Sequence, residues 1–177
     1  MTQLTIREGR LDDADGVARV HVRSWRAAYR GLMDQQILDS LSVEERAANW
    51  RRFITDPLPT TIALLVAERD GEVVGWTSFG AGRDADGSTD GEVYGIYADP
   101  DSWSTGAGHA LLEEAERRMA DAGHTRAYLW VLDGNERADA FYARHGWVAD
   151  GATKADERAV ATFAEHRRVK ELRSGDA

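Results

Sequence analysis

The residues best suited to do chemistry lie in one run, Gly91 to Gly123 (GEVYGIYADPDSWSTGAGHALLEEAERRMADAG), and in a pair beyond it, Asn135 and Tyr142. Within the run, Val93, Tyr94, Ile96 and Tyr97 favour a strand, which Pro100 ends because proline cannot donate to a ladder. After Gly106 and Gly108, apolar residues recur at helical spacing: Leu111, Leu112, Ala115, Met119 and Ala122. A turn of small residues entering a helix leaves backbone N–H groups open at the positive end of the dipole, which suits an anion. The turn is not a Walker loop, since no lysine follows its glycines, and it lacks the third glycine of a dinucleotide fingerprint. Taken alone, Gly106-Ala107-Gly108 is equally a tight turn. Asn135 and Tyr142 stand seven residues apart, two helical turns, so an amide and a phenol share one face. Asn135 also suits a helix N-cap, and Tyr142 also suits a half-buried core position.

Composition narrows the classes. The chain has 177 residues, 42% hydrophobic and 30% charged, which fits one soluble domain over 1–177. There is no cysteine, so disulfides, thiolate metal sites and a cysteine acyl-enzyme are excluded. The five histidines are scattered without metal-ligand spacing, and no metal is expected. A net charge of −9 argues against nucleic acid as a partner. No apolar run of membrane length and no signal pattern occur, so a cytoplasmic protein is expected.

These residues need elements to hold them. A short strand over Leu4–Arg7 precedes a helix capped by Asp12 or Asp13, whose face carries Ala14, Ala18, His21, Val22, Trp25 and Tyr29. Met33–Leu41 reads as helical, and Ser42 with Glu45 forms a capping box for the next helix, which stops before Pro57. Thr61–Glu68 and Val73–Phe79 form a hairpin about Asp70-Gly71. Residues 80–90 make a polar loop. After the 91–123 unit come a strand over Arg126–Leu132, a helix over Asn135–His145 closed by Gly146, and a strand from Trp147. Ala159–Leu172 reads as a last strand pair or a helix. Such alternation predicts an α/β mixed sheet with helices on both faces.

At this point YADPDSWSTGAGHALL resembles the acetyl-CoA-binding motif of the GCN5-related N-acetyltransferase (GNAT) superfamily. LWVLDGNERADAFYARHGWVADG is similar to its second signature, and HVRSWRAAYRGLM with LSVEERAANW resembles a bacterial, small-molecule-type branch. The resemblance implies a six- to seven-stranded mixed sheet flanked by about four helices. It implies acetyl-CoA as cosubstrate, with pyrophosphate on the amides of Ser104, Thr105, Gly106, Ala107, Gly108 and His109. Backbone groups of Ile96, Tyr97 and Ala98 would meet the pantetheine arm and thioester, where a bulge permitted by Gly95 splays the strand from Arg126–Leu132. Asn135 would contact the cofactor, and Tyr142 would protonate the departing sulfur. The superfamily usually has arginine or glutamine in the turn. This chain has Trp103-Ser104-Thr105, and a missing cation weakens the phosphate grip, with two hydroxyls as partial replacement.

Acetyl transfer to an amine needs a proton acceptor. At a pKa near ~10.4, about one aliphatic amine in a thousand is free at pH 7. Glu92, at the start of the central strand, matches a glutamate base used in some branches; a water relay is the alternative. Trp25, Tyr29 and Trp130 are the candidate walls of the acceptor pocket, as is Trp76, with core packing the competing role. The expected reaction is direct transfer from acetyl-CoA to a small-molecule primary amine in a ternary complex. Peptide or lysine amines, or CoA binding without turnover, are the alternatives. A homodimer is compatible with the sequence.

Overall fold

A computed structural model describes residues 3–56, 62–86, 89–158 and 161–173. Thr61 and Ala159, which open two of the expected segments, lie outside them. The hydrophobic alternation yields strands β1 (Leu4–Glu8), β2 (Ala63–Arg69), β3 (Glu72–Ala81), β4 (Gly91–Ala98), β5 (Arg126–Leu132), β6 (Val148–Arg158) and β7 (Ala161–Glu171). The helices are α1 (Ala14–Ala28), α2 (Gln35–Asp39), α3 (Val43–Thr55), α4 (Ala107–Asp121) and α5 (Glu136–Arg144). The described residues thus hold five helices where about four were expected. Asp34 caps α2 through Gln36 N–H, while Ser42 independently caps α3 through Glu45 N–H, so the region between α1 and β2 forms two helices. The described part of the expected Ala159–Leu172 segment is neither a helix nor a strand pair in itself: it is one strand, β7, paired antiparallel with β6, which continues to Arg158.

The strands form one sheet in the order β1-β2-β3-β4-β5-β7-β6. β4 and β5 are parallel; the other neighbours are antiparallel. The β2–β3 hairpin turns on Asp70 and Gly71, both at positive φ, as an Asp-Gly pair does. Alternating residues of β2 feed two cores. Leu65 and Ala67 pack with Leu111, Leu112, Ala115 and Met119 of α4, while Leu64 and Val66 pack with Val17, Ala18 and Val20 of α1 and Trp50 of α3.

Two features of β4 make the site. First, the β3 register jumps between Ser78–Gly95 and Phe79–Val93, leaving Tyr94 as an extra, bulged residue beside Gly95. Second, β4 pairs with β5 only at Gly91–Ala127 and Glu92–Tyr128, after which the strands part. Gly91 lets α4 sit close on the strand, since a Cβ there would fall 2.5 Å from Met119 Sδ. Strand and helix are thereby fixed to one another at the root of the split. None of the described helices is long and apolar enough to cross a membrane.

Candidate active site

The split opens a cleft of about 1110 Å³, larger than a typical single small-ligand pocket. One end is the turn before α4. Asp99 caps the 3-10 turn Pro100–Ser102, and Arg23 of α1 ties that turn down through Asp99 at 3.1 Å and Asp101 at 2.7 Å. Ser104 and Gly106 then adopt left-handed backbone, φ 61° and 94°. Gly106 serves as N-cap of α4 with no side-chain capping bond, and Ala110 N–H makes the first bond into the helix. Consequently the six consecutive amides of Ser104–His109 donate to no acceptor among the described residues. Open donors on alternating backbone hands make a nest for phosphate oxygens, so the residues present fit a CoA pyrophosphate.

The side chains of that turn do not all serve as expected. Thr105 donates its hydroxyl to Ser102 O at 2.7 Å and accepts from Arg69 Nη1 at 3.1 Å, so it braces the turn and leaves only its amide to a ligand. Ala107 is buried and likewise offers only backbone. Trp103 donates Nε1–H to Ala98 O at 2.9 Å, so that carbonyl is already engaged. Ser104, Gly106, Gly108 and His109 line the cleft, along with Ile96, Tyr97 and Ala98 of β4.

On the opposite wall, Asn135 caps α5 by accepting from Ala138 N–H at 3.2 Å; its amide nitrogen has no partner among the described residues. Tyr142, two turns on, is buried at the cleft wall, and its hydroxyl makes no hydrogen bond to a described residue. Burial, then the neighbouring Tyr97 and Asp139, push its pKa above the usual phenol range, so it stays protonated at neutral pH. Sequence reasoning missed Arg137. Its guanidinium lies 3.8 Å from the Trp103 ring centroid and lines the cleft.

The far end is charged. Glu92, 1% exposed, accepts from Arg83 Nη2 on Oε1 at 2.6 Å. Its Oε2 accepts from Arg83 Nε at 2.9 Å, Arg83 N–H at 3.0 Å and Tyr128 O–H at 2.9 Å. Burial alone favours the neutral acid, but Arg83 outweighs it and holds the carboxyl below the ordinary glutamate pKa. Tyr29 and Trp130 both line the cleft. Tyr29 O–H pairs with Tyr97 O–H at 2.9 Å, and Trp130 donates to Asp84 at 2.9 Å. Trp25 does not line the cleft. It packs against Tyr29 and His21, with Arg46 over its ring, because its face of α1 turns toward α3. Trp76 is core, 3% exposed. His21, on the same stripe, accepts from Trp50 Nε1 at 3.3 Å and holds the packing of α1 on α3.

Comparison with known proteins agrees with this geometry. The profile of the acetyltransferase (GNAT) family matches residues 22–147. The N-acetyltransferase YuaI of Bacillus subtilis (strain 168) is 32% identical over 132 residues, 75% of this chain and 73% of that protein. A mycothiol acetyltransferase of Acidimicrobium ferrooxidans is 41% identical over 148 residues, 82% of this chain but 43% of its own length. Among solved structures, the PaiA N-acetyltransferase of Thermoplasma acidophilum, in complex with coenzyme A, superposes with TM-score 0.70 at 20% identity, covering 96% of this chain and 99% of that one. That likeness shows the shared fold. With the split sheet, the open amides and the Asn135–Tyr142 pair, these matches establish that the chain belongs to the GNAT acetyltransferase family and depends on acetyl-CoA.

Proposed function

We propose that the protein transfers acetyl from acetyl-CoA to a primary amine of a small molecule, by direct attack with both substrates bound. The carrying observation is the Tyr142 hydroxyl, which has no partner among the described residues and belongs to a residue lining the same cleft as the open amide turn and the Arg83–Glu92 pair. The cosubstrate supplies a thioester whose carbonyl carbon bonds the amine nitrogen while the carbon–sulfur bond breaks. The nest holds the phosphates, and the amide nitrogen of Asn135 orients the arm. A backbone N–H of the Ile96–Ala98 segment meets the carbonyl oxygen as it gains charge. Tyr142 acts as general acid to the leaving sulfur, donating its O–H there as negative charge builds in the breaking bond, and recovers its proton from solvent. A relative named for mycothiol supports a small-molecule acceptor.

For the amine's proton, a water relay ending at Glu92 fits better than direct abstraction. Oε2 already accepts three donors and Oε1 accepts one, in a carboxylate that is 1% exposed and lines the cleft. Replacing Glu92 with glutamine keeps one acceptor oxygen toward Arg83 while removing the charge and turning the other oxygen into a donor. Amine turnover is expected to fall roughly 10²-fold, with acetyl-CoA affinity unchanged; full activity would remove Glu92 from the path. Calorimetric titration with acetyl-CoA, then thiol release across an amine panel, tests the reaction itself. Binding without turnover on any small amine would overturn it.

A further inference from the structure

The turn before α4 has no cation of its own, yet its cleft wall holds an arginine without a carboxylate. Several arginines of this acidic protein are committed: Arg7, Arg23, Arg83, Arg117, Arg118, Arg126 and Arg167 all pair with acids. Arg137 pairs with none among the described residues. Its guanidinium carbon sits over the Trp103 ring instead, 3.8 Å from the centroid, and Trp103 is itself fixed by its bond to Ala98 O. A guanidinium stacked on a ring keeps its in-plane N–H donors pointing outward, ready for an oxyanion. Arg144, two turns along α5, also lines the cleft and adds to the positive field. Arg69, the other cation at the turn, spends its donors on Thr105 and does not line the cleft.

We propose that the Trp103–Arg137 pair is a phosphate-binding subsite of the cofactor cleft, supplying from α5 the cation that the 103–105 turn lacks. Trp103 is then no defect in the motif. The ring occupies the place of a basic residue in order to seat one brought from another element. The nest and Arg137 would close on one phosphate group from two sides, the nest with neutral donors and Arg137 with charge.

This rests on acetyl-CoA being the cosubstrate, and the two fail differently. If the unaltered protein does not bind acetyl-CoA, the cosubstrate reading falls; if it binds and the variant below binds equally, only the present proposal falls. Calorimetry should show Arg137→Gln binding acetyl-CoA about tenfold to a hundredfold more weakly, with a shallower salt dependence and most of the loss restored by Arg137→Lys. Turnover of S-acetylpantetheine, which carries no phosphate, should be unchanged by Arg137→Gln. An equal loss with both thioesters would mean that Arg137 acts only through the structure of α5, and the proposal would be wrong. Dephospho-CoA locates the contact: a penalty that persists places it on the pyrophosphate, and one that vanishes places it on the 3′-phosphate. Trp103→Phe keeps the ring and should bind nearly as the parent does, while Trp103→Leu should share the Arg137→Gln loss. A Trp103→Leu protein of full affinity would overturn the platform role.

Discussion

The role proposed for Tyr142 rests on what its hydroxyl lacks. A phenol buried at a cleft wall without a described partner keeps its proton at neutral pH, so its O–H is free to donate to a sulfur that gains charge beside it. Tyr142→Phe should lower turnover about 10²-fold with acetyl-CoA affinity in calorimetry unchanged. The loss should shrink with a thioester whose leaving thiol is more acidic, since that sulfur needs the proton less. Equal losses for both thioesters would point to packing. Both Tyr142 and Asn135 are legible in the sequence because helical spacing alone puts them on one face. Arg137 is not, because an arginine two positions after a cap reads as surface charge. Its meaning depends on α5 passing beside Trp103, a relation between elements 34 residues apart in the chain.

Elements set where those groups meet. The turn, α4 and β4 read clearly from proline, glycine and apolar spacing, and so does the hairpin at Asp70-Gly71. The bulge at Tyr94 does not, because it arises from register against β3, which no local pattern encodes. The loop after β3 is similar. It looks featureless in the sequence, but Arg167 of β7, its side chain 9% exposed, fastens it through Asp86 at 2.8 Å and Asp84 at 3.6 Å, and holds Asp150 at 2.9 Å. That loop delivers Arg83 and Asp84 to the acceptor end. Arg167→Met removes this partner from Asp84 and Asp86, while Asp150 keeps Arg126 at 3.5 Å, and should lower stability in chemical denaturation. It should also raise the KM for the amine while sparing acetyl-CoA affinity. A rise in both would mean that the loop does not govern the acceptor end selectively.

At the scale of the whole molecule, α5 must stay on the C-terminal half of the sheet for its residues to face the cleft. His166 of β7 does this by bridging Asp133 at 2.7 Å and Asp139 at 2.8 Å. Burial disfavours the imidazolium, but the two carboxylates outweigh it and raise the His166 pKa. A folded pKa above the unfolded value of about 6.5 contributes stability that is complete below that value and is lost as pH rises through the folded one. Stability by denaturant titration should therefore fall from mildly acid to alkaline pH, with that slope missing in His166→Gln. An unchanged slope would place the titration elsewhere.

The parting of β4 from β5 has a mechanical meaning as well. Two residue pairs are the whole ladder between a four-stranded half-sheet and a three-stranded one. In the proposed binding mode a thioester arm threaded between them would take the place of missing rungs and act as a structural member of the protein while bound. Ligand at a hundred times its Kd adds about 2.7 kcal/mol to the folded state. In this fold much of that falls on the joint. Amide exchange along residues 93–98 and 129–132 should slow on saturation with CoA, while the outer β1–β2 pair exchanges as before. Each round of product release would then loosen the joint that the next round closes.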